Sequence, residues 1–154
     1  MSAMTSLDAS SSSNLGRLLR QTREELWRHM SAELAAVGIE MNFSQYIVMK
    51  NLRNGPAMSS SLADCAAINA GAMTRVIDSL IEQGLVTRTP SEQDRRVMHV
   101  DLTAQGRKIA KQMEVCGLRT LECAFADISD RRLSELFHTL ETIVGNLQSS
   151  NEPQ

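Results

Sequence analysis

The sequence predicts a mainly α-helical fold that contains one two-stranded β-hairpin. Apolar residues recur at helical spacing along most of the chain, and the period changes to alternation only between Leu85 and Leu102. The composition agrees with this pattern. Aromatic residues make up only 3% of the chain while nine methionines are present, so the core must be built mostly from Leu, Ile, Val, Ala and Met, a composition that favours helices.

The chain begins with a serine-rich segment, residues 1–13, which we expect to be a disordered tail without the features of a signal peptide. Asn14 can then cap a first helix that Gly38 ends. No apolar run approaches 18 residues, so no membrane span is predicted. Three cysteines without CxxC spacing argue against a disulfide framework and fit a reducing cytoplasm.

Three shorter helices follow the first. Ser44 can cap QYIVMKNLRN, which ends at Gly55 and the proline after it. SSLADCAAI forms a short third helix, and the fourth runs from about Asn69 to Gly84. Apolar residues at helical spacing give the fourth helix one buried stripe, formed by Met73, Ile77, Leu80 and Ile81.

The hairpin joins LVTRT to VMHVDL through a polar loop, residues 90–96. Because side chains alternate along a strand, three apolar residues of the second strand should share one buried face. These residues are Met98, Val100 and Leu102.

The two C-terminal helices carry more apolar surface than one small core can cover. Thr103 can cap the first, which runs to about Ala126, and Ser129 the second, which runs to about residue 148, before a flexible tail over 149–154. A helix that is apolar on two sides needs two partners, and a second subunit is the natural second one, with a larger monomeric core as the alternative. A helical dimerisation layer is therefore predicted from about 14–37 and 104–148. Its predicted interface residues are Leu15, Leu19, Leu133, Leu136, Leu140, Ile143 and Leu147.

The block from about 44 to 102 has three helices followed by the hairpin, which is the order of a winged helix-turn-helix. In such a unit the third helix of the block enters the DNA major groove, and the hairpin is the wing. Asparagine and arginine can read base edges, small residues allow close backbone approach, and basic residues at a loop tip can meet phosphates or a minor groove. The candidate DNA-binding residues are Ser60, Asn69, Gly71, Ala72, Thr74, Arg75, Asp94, Arg95 and Arg96.

Each of these residues also has a structural alternative. The helix face could be an ordinary solvated one, Arg75 could instead pair with Asp78, and Ser60 could act only in capping. The wing tip could be a polar turn that serves solubility. Since the formal net charge is −2, any affinity for DNA must come from where the basic groups lie and not from their sum.

The motifs resemble those of the MarR family of bacterial transcriptional regulators. LADCAAINAGAMTRVIDSLIEQGLVTR, the DRR at the wing tip and the LT-x-x-G after it carry the resemblance, which covers about residues 14–148. It implies a cytoplasmic homodimer on a pseudo-palindromic double-stranded operator. The dimer represses or activates transcription, with repression favoured, and a small aromatic or phenolic ligand releases it from DNA. Two positions depart from the family pattern. Ala67 stands where members often have a turn glycine, and Met58 stands where a Ser or Thr cap is usual, so that Ser59 could take over as the cap.

The resemblance also suggests an effector site near the first helix. In several family members, arginines near this place meet a carboxylate ligand, and adaptable apolar side chains can wall a pocket for an aromatic ring. The candidate ligand-binding residues are Arg20, Arg23, Trp27, Tyr46, Met49 and Met113. Solvated or intersubunit ion pairs are the alternative for the two arginines, and a plain core role is the alternative for the other four.

Other functions have less support in the sequence. Redox sensing through Cys65, Cys116 or Cys123 is one alternative, although no cysteine lies near the start of the first helix. A winged-helix module used only for protein–protein contact is another. The chain contains no G-x-S-x-G, no H-E-x-x-H and no phosphate-binding glycine loop, and its three histidines lack ligand spacing. Neither an enzyme, nor a cofactor, nor a metal site is predicted.

Overall fold

The computed structural model describes residues 9–91, 94 and 98–150, with side chains from residue 14 onward. Within these residues the fold is mainly helical, with one small antiparallel sheet. The elements in chain order are α1 (Ala9–Ala36), α2 (Phe43–Leu52), β1 (Ala57–Met58), α3 (Ser59–Ala66), α4 (Ala70–Glu82), β2 (Val86–Pro90), β3 (Met98–Leu102), α5 (Ala104–Ala124) and α6 (Asp130–Ser149). In the described part of the chain, no helix combines the length and the apolarity needed to cross a membrane.

The first helix is longer than predicted. It begins at Ala9, so residues 9–13 of the expected disordered tail are helical, while residues 1–8 lie outside the described residues. The prediction of an Asn14 cap was wrong, because Asn14 lies inside α1 and its side-chain oxygen accepts a hydrogen bond from Arg17 Nη2 at 2.6 Å. Serine costs only roughly 0.5 kcal/mol more than alanine in a helix, and each residue added to an existing helix gains a hydrogen bond.

The caps of α2 and α3 also differ from the predictions. Asn42, not Ser44, caps α2, because it forms a reciprocal capping box with Gln45: the Gln45 N–H donates to Asn42 Oδ1 at 3.0 Å, and the Asn42 N–H donates to Gln45 Oε1 at 2.9 Å. Met58 occupies the N-cap position of α3 without a side-chain bond, so Ser59 is the first helical residue and not the cap. The pairing of Met58 with His99 in the sheet holds the chain extended at this point.

The sheet has three strands instead of the two predicted, in the order β1-β3-β2. The first strand is only two residues long, which is too short to show a periodicity, and its Ala57 pairs with Val100. As predicted, Val100 and Leu102 face the core, but Met98 at the outer end of β3 is 44% exposed.

Hydrogen bonds join the start of α5 to the residues between α4 and β2. As predicted, Thr103 caps α5, since its Oγ1 accepts from the Gly106 N–H at 3.0 Å; the same hydroxyl donates to the Gly84 carbonyl oxygen at 2.6 Å. The Thr103 N–H donates to the Leu85 carbonyl oxygen at 3.0 Å. These bonds give the LT-x-x-G motif its structural role, which is to join α5 to the chain that enters β2.

The chain divides into two compact units, at Thr120 and Leu121. In the first unit, α1 to α5 and the sheet enclose one apolar core, to which α4 contributes Met73, Ile77 and Leu80 with no exposed surface. On α1 the predicted interface residues Leu15 and Leu19 are exposed, by 46% and 49%.

The second unit contains the end of α5 and all of α6. Ser129 precedes α6 at the N-cap position, but its side chain makes no capping bond, and Ser149 ends the helix, so that only 151–154 of the predicted tail lie outside the described residues. No residue of α6 is buried. Of the predicted interface residues, Leu136 and Leu147 are exposed, and the half-buried ones are Leu133, Leu140 and Ile143.

Candidate nucleic-acid interface

The helix predicted to read DNA begins at a well-defined cap. Asn69 is the N-cap of α4, and its Oδ1 accepts a hydrogen bond from the Ala72 N–H at 2.8 Å. Its side-chain amide N–H groups remain available as donors, since the capping bond uses only the oxygen. A cap of this kind holds the first turn of the helix and leaves the N-terminal amide groups pointing outward.

One face of α4 is apolar and buried, and the other presents small and polar residues. Gly71, Thr74 and Arg75 are exposed, and Ala72 is half-buried. The Thr74 hydroxyl donates back to the Ala70 carbonyl oxygen at 3.0 Å, which leaves its oxygen free to accept. The structure therefore places all five predicted residues outside the core, with Asn69 at the N-cap and the other four in the first two turns of α4.

Arg75 is an exposed cation that no carboxylate of the described residues neutralises. Its neighbour one turn away, Asp78, pairs instead with Arg88 of β2, Nη2 to Oδ1, at 2.7 Å. This ion pair links the wing strand to α4. Asp78 pairs with Arg88 and not with Arg75. The positive charge of Arg75 therefore remains exposed on the surface of the helix.

Gly71 is not required by packing within the described residues. A Cβ at this position would meet only Asn69 Oδ1, at 3.5 Å, which is an ordinary van der Waals contact. Glycine in a helix lowers stability relative to alanine, so an exposed helical glycine calls for another reason. Close approach of a partner to the helix backbone is such a reason.

The remaining DNA-binding candidates lie on α3 and in the wing. Ser60 is exposed in the first turn of α3, and Asp94 is exposed between β2 and β3. Arg95 and Arg96 lie outside the described residues, so their predicted contacts rest on the sequence alone.

Sequence reasoning missed one polar connection behind the α4 face. The Gln45 side chain is 7% exposed, and its Nε2 donates to Ser79 Oγ of α4 at 3.2 Å. The N-F-S-Q spacing from Asn42 to Gln45 is the capping-box signal that could have identified the α2 cap. No local signal could have identified Ser79 as the partner, because it lies 34 positions further along the chain.

The predicted effector residues do not all come together. Trp27 contacts Tyr46, with ring centroids 5.5 Å apart, and Phe43 edge-on at 5.3 Å. Burial raises the pKa of Tyr46, partly opposed by the nearby charge of Arg53. The side chains of Met49 and Met113 are buried in the core, while Arg20 and Arg23 are exposed and Arg20 pairs with Glu24 at 3.4 Å.

A cavity of about 420 Å³ lies beside α2 and α3. None of the six candidates contributes to its lining. The residues that line it are Ile47, Lys50, Asn51, Arg53, Asn54 and Cys65.

The cysteines are all free thiols, and only Cys116 is buried. Its Sγ donates to the Glu33 carbonyl oxygen at 3.6 Å. Burial, and secondarily the charge of Glu33, raise the pKa of the Cys116 thiol, while Arg119 opposes the shift. In the described ranges, no group of three or more His, Cys, Asp or Glu side chains is placed to hold a metal ion.

Comparison with known proteins agrees with this geometry. The model of the MarR family matches residues 41–98. An HTH-type transcriptional repressor of Mycobacterium tuberculosis is 33% identical over 65% of this chain and 71% of its own length. An uncharacterized HTH-type transcriptional regulator of Bacillus subtilis is 26% identical over 82% of this chain and 88% of its own.

Solved structures share the fold. The transcriptional regulator BldR from Sulfolobus solfataricus superposes with a TM-score of 0.75 at 20% identity, over 93% of this chain and 99% of its own. A mutant MarR from E. coli in complex with operator DNA superposes with a TM-score of 0.73 at 23% identity, over 84% of this chain and 93% of its own. These two matches cover 93% and 84% of this chain. The helices and the three-stranded sheet described above therefore form a known winged-helix architecture.

Proposed function

The chain belongs to the MarR family of transcriptional regulators, and on that premise we propose that it is a homodimeric repressor whose α4 reads double-stranded operator DNA. The observation that carries the proposal is the exposed start of α4, where Arg75 stands without a carboxylate partner among the described residues beside small residues that leave the backbone open. Members of this family regulate transcription and are not enzymes.

Each residue of this face has a role in the proposed complex. Arg75 donates two guanidinium N–H groups to O6 and N7 of a guanine, and the Asn69 amide donates to an acceptor on a base edge, because α4 enters the major groove by its N-terminal turns. Gly71 and Ala72 allow that approach, and Thr74 and Ser60 contact phosphates or sugar. In the wing, Arg96 enters the adjoining minor groove, Arg95 contacts phosphate and Asp94 holds the turn.

A dimer is part of the proposal because each unit exposes large apolar side chains. The first unit exposes leucines of α1, and the second exposes Leu136, Phe137, Val144 and Leu147 of α6 by 44% to 62%. Exposed apolar stripes of this kind mark association surfaces. A two-fold dimer would set two α4 helices one turn of DNA apart, so the operator should be pseudo-palindromic.

The effector in the proposal is a small aromatic or phenolic molecule. The rings of Trp27 and Tyr46 already contact each other, tilted by 48°, and a further aromatic ring can add to such a pair. Arg23 and Arg20 lie one and two turns before Trp27 on α1, and are candidates to bind a carboxylate on the ligand. Met49 and Met113 are buried in the same core against which Trp27 and Tyr46 pack, and would act on the ligand only through that core.

Redox regulation has less support than ligand binding. A reactive thiol needs a lowered pKa and access to solvent, whereas Cys116 is buried and burial raises its pKa. A module that only contacts proteins is also less well supported. The exposed face of α4 is polar and carries Arg75, which has no carboxylate partner among the described residues, whereas protein contact surfaces concentrate aromatic and apolar residues at their centres.

In vitro selection tests the proposal. The full chain is incubated with a pool of random duplexes, and bound DNA is amplified over several rounds. We expect enrichment of one pseudo-palindrome, bound at physiological salt at least about a thousandfold more tightly than a poly(dI-dC) duplex. A pool that stays random, with equal affinity for every duplex, would contradict sequence-specific regulation by this chain.

A further inference from the structure

Gln45 is a nearly buried polar side chain whose hydrogen bonds run in two directions. Its Oε1 accepts from the Asn42 N–H at 2.9 Å, which closes the capping box of α2. Its Nε2 donates to Ser79 Oγ at 3.2 Å, which leaves α2 and reaches α4. The side chain is 7% exposed. Burying a polar group is costly unless it is bonded, so this amide favours the one arrangement of α2 and α4 that satisfies it.

The bond reaches α4 at a position that matters for DNA. Ser79 lies one helical turn after Arg75, and residues four apart are neighbours on a helix surface. Ser79 Oγ also accepts from Gln83 Nε2 at 3.2 Å, on the exposed side of the helix. The hydroxyl is therefore held between one buried and one exposed donor, one helical turn from the residue that is proposed to read a base.

Apolar packing orients the buried stripe of α4 but tolerates small rotations of the helix. Its buried stripe is held by contacts that depend weakly on direction, and cores tolerate small shifts of such side chains. A hydrogen bond needs a distance within a few tenths of an ångström and a nearly linear angle. Among the described residues, the Gln45–Ser79 bond is a directional contact between α2 and α4, and it acts beside the Asp78–Arg88 ion pair that joins α4 to β2.

We propose that Gln45, through Ser79, is a positioning residue that sets the rotation of α4 for base recognition. This inference rests on the proposed DNA-binding function. It also joins the aromatic cluster to the recognition helix, because Phe43 and Tyr46 flank Gln45 on α2 and both contact Trp27 of α1. A ligand that moved this cluster would move the donor of the bond.

Ser79→Ala isolates the bond, because it removes the acceptor on α4 and leaves the capping box of α2 intact. Ser79→Thr restores the hydroxyl. Gln83→Ala is the matched control, since it deletes the exposed bond to the same oxygen and keeps the buried one. For each protein we would measure affinity for the duplex selected by the wild type and for poly(dI-dC), together with thermal stability.

A positioning role predicts a loss of discrimination. Ser79→Ala should bind the selected duplex roughly tenfold more weakly, as after loss of one base contact, with affinity for poly(dI-dC) within about twofold of the wild type. Ser79→Thr should recover most of the loss, and Gln83→Ala should show none. If Ser79→Ala lowered only the melting temperature, or weakened both DNAs equally, the inference would be overturned.

Hydrogen exchange of the DNA-free protein separates this inference from the proposed function. The amides of α4 should exchange faster in Ser79→Ala than in Gln83→Ala and the wild type, because a held helix opens less often. Equal exchange in all three proteins would overturn the positioning role even if the chain binds DNA. If the wild type failed to discriminate between duplexes, the proposed function would fail, while this comparison would still decide whether the bond holds α4.

Discussion

The carbonyl oxygen of Leu85 occupies the space that a Cβ on Gly106 would need. Gly106 is buried on the first turn of α5, and Leu85 precedes the wing strand β2, so the two backbones meet with no room for a side chain. The glycine of the LT-x-x-G motif is therefore fixed by contact between two backbone segments, and not by a need for unusual backbone torsions.

Gly106→Ala should destabilise the protein. The added methyl group would overlap backbone, which cannot rotate away as a flexible side chain can, and overpacking of this kind costs about 1–3 kcal/mol. Urea unfolding would measure the loss. Gly145→Ala is the control, because a Cβ at that helical position meets nothing within 4 Å, and it should leave stability unchanged or slightly higher. Equal unfolding midpoints for the two variants would contradict the backbone contact.

Gly71→Ala should maintain or raise stability while it weakens DNA binding. A Cβ at position 71 fits without a clash, and alanine favours the helix over glycine by up to about 1 kcal/mol, so the free energy of unfolding should rise or stay level. Operator affinity should nevertheless fall, because the methyl group would stand between the α4 backbone and the DNA. Unfolding and duplex binding measured on the same samples would decide. A variant that is more stable and binds as tightly as the wild type would show that DNA does not approach this turn.

Stability should decrease at alkaline pH through Cys116. Because burial raises the pKa of this thiol, the folded protein keeps the proton at a pH where the unfolded chain has lost it. The contribution is thus fully present below the unfolded pKa, about 8.5, and is lost as the pH rises above it. The free energy of unfolding at fixed protein concentration should fall more between neutral pH and pH 9.5 in the wild type than in Cys116→Ala. Cys65→Ala, at an exposed position, should keep the wild-type slope.

Val144→Glu should break the proposed dimer without unfolding the monomer. Val144 is 52% exposed on α6, so a carboxylate there should change the stability of the monomer little. In an apolar dimer interface the same carboxylate would be buried without a partner, which is costly. Light scattering after size exclusion should give the mass of a monomer, with an unchanged far-UV circular dichroism spectrum. Ser134→Glu adds the same charge at an exposed polar position of α6 and should stay dimeric. A dimer of Val144→Glu with wild-type affinity would place the interface elsewhere.

The order and type of the long elements could be predicted from the sequence because hydrophobic period and turn residues encode them locally. The switch from helical spacing to alternation located the hairpin, and Gly38 ended α1 as expected, with a positive φ of 76°. Ala67 is an exception to the rule that a left-handed residue at a helix end is a glycine. It adopts the left-handed conformation, φ 52°, where family members often have glycine, at a cost of roughly 1 kcal/mol that tertiary packing offsets.

The parts that could not be predicted depend on which elements meet in space. The two-residue strand β1 exists because β3 offers it a partner, and Gln45 is buried because α4 places Ser79 against it. The candidate effector residues are spread between core and surface for the same reason, since three-dimensional packing buries Met49 and Met113 while leaving Arg20 and Arg23 exposed. Periodicity identifies a buried face, but not whether that face adjoins a core or a cavity.

The central question is whether Arg75 reads a base. The most direct measurement compares the wild type, Arg75→Ala and Arg132→Ala, an exposed arginine of α6 as control, on the selected duplex and on single-base variants of it, over a range of salt. Loss of a bidentate arginine–guanine contact should cost about 1–3 kcal/mol of binding free energy and remove the preference at one base pair of each half-site, with the other positions unchanged. Arg132→Ala should bind like the wild type. Undiminished affinity and unchanged base preference in Arg75→Ala would contradict recognition of DNA by this face of α4.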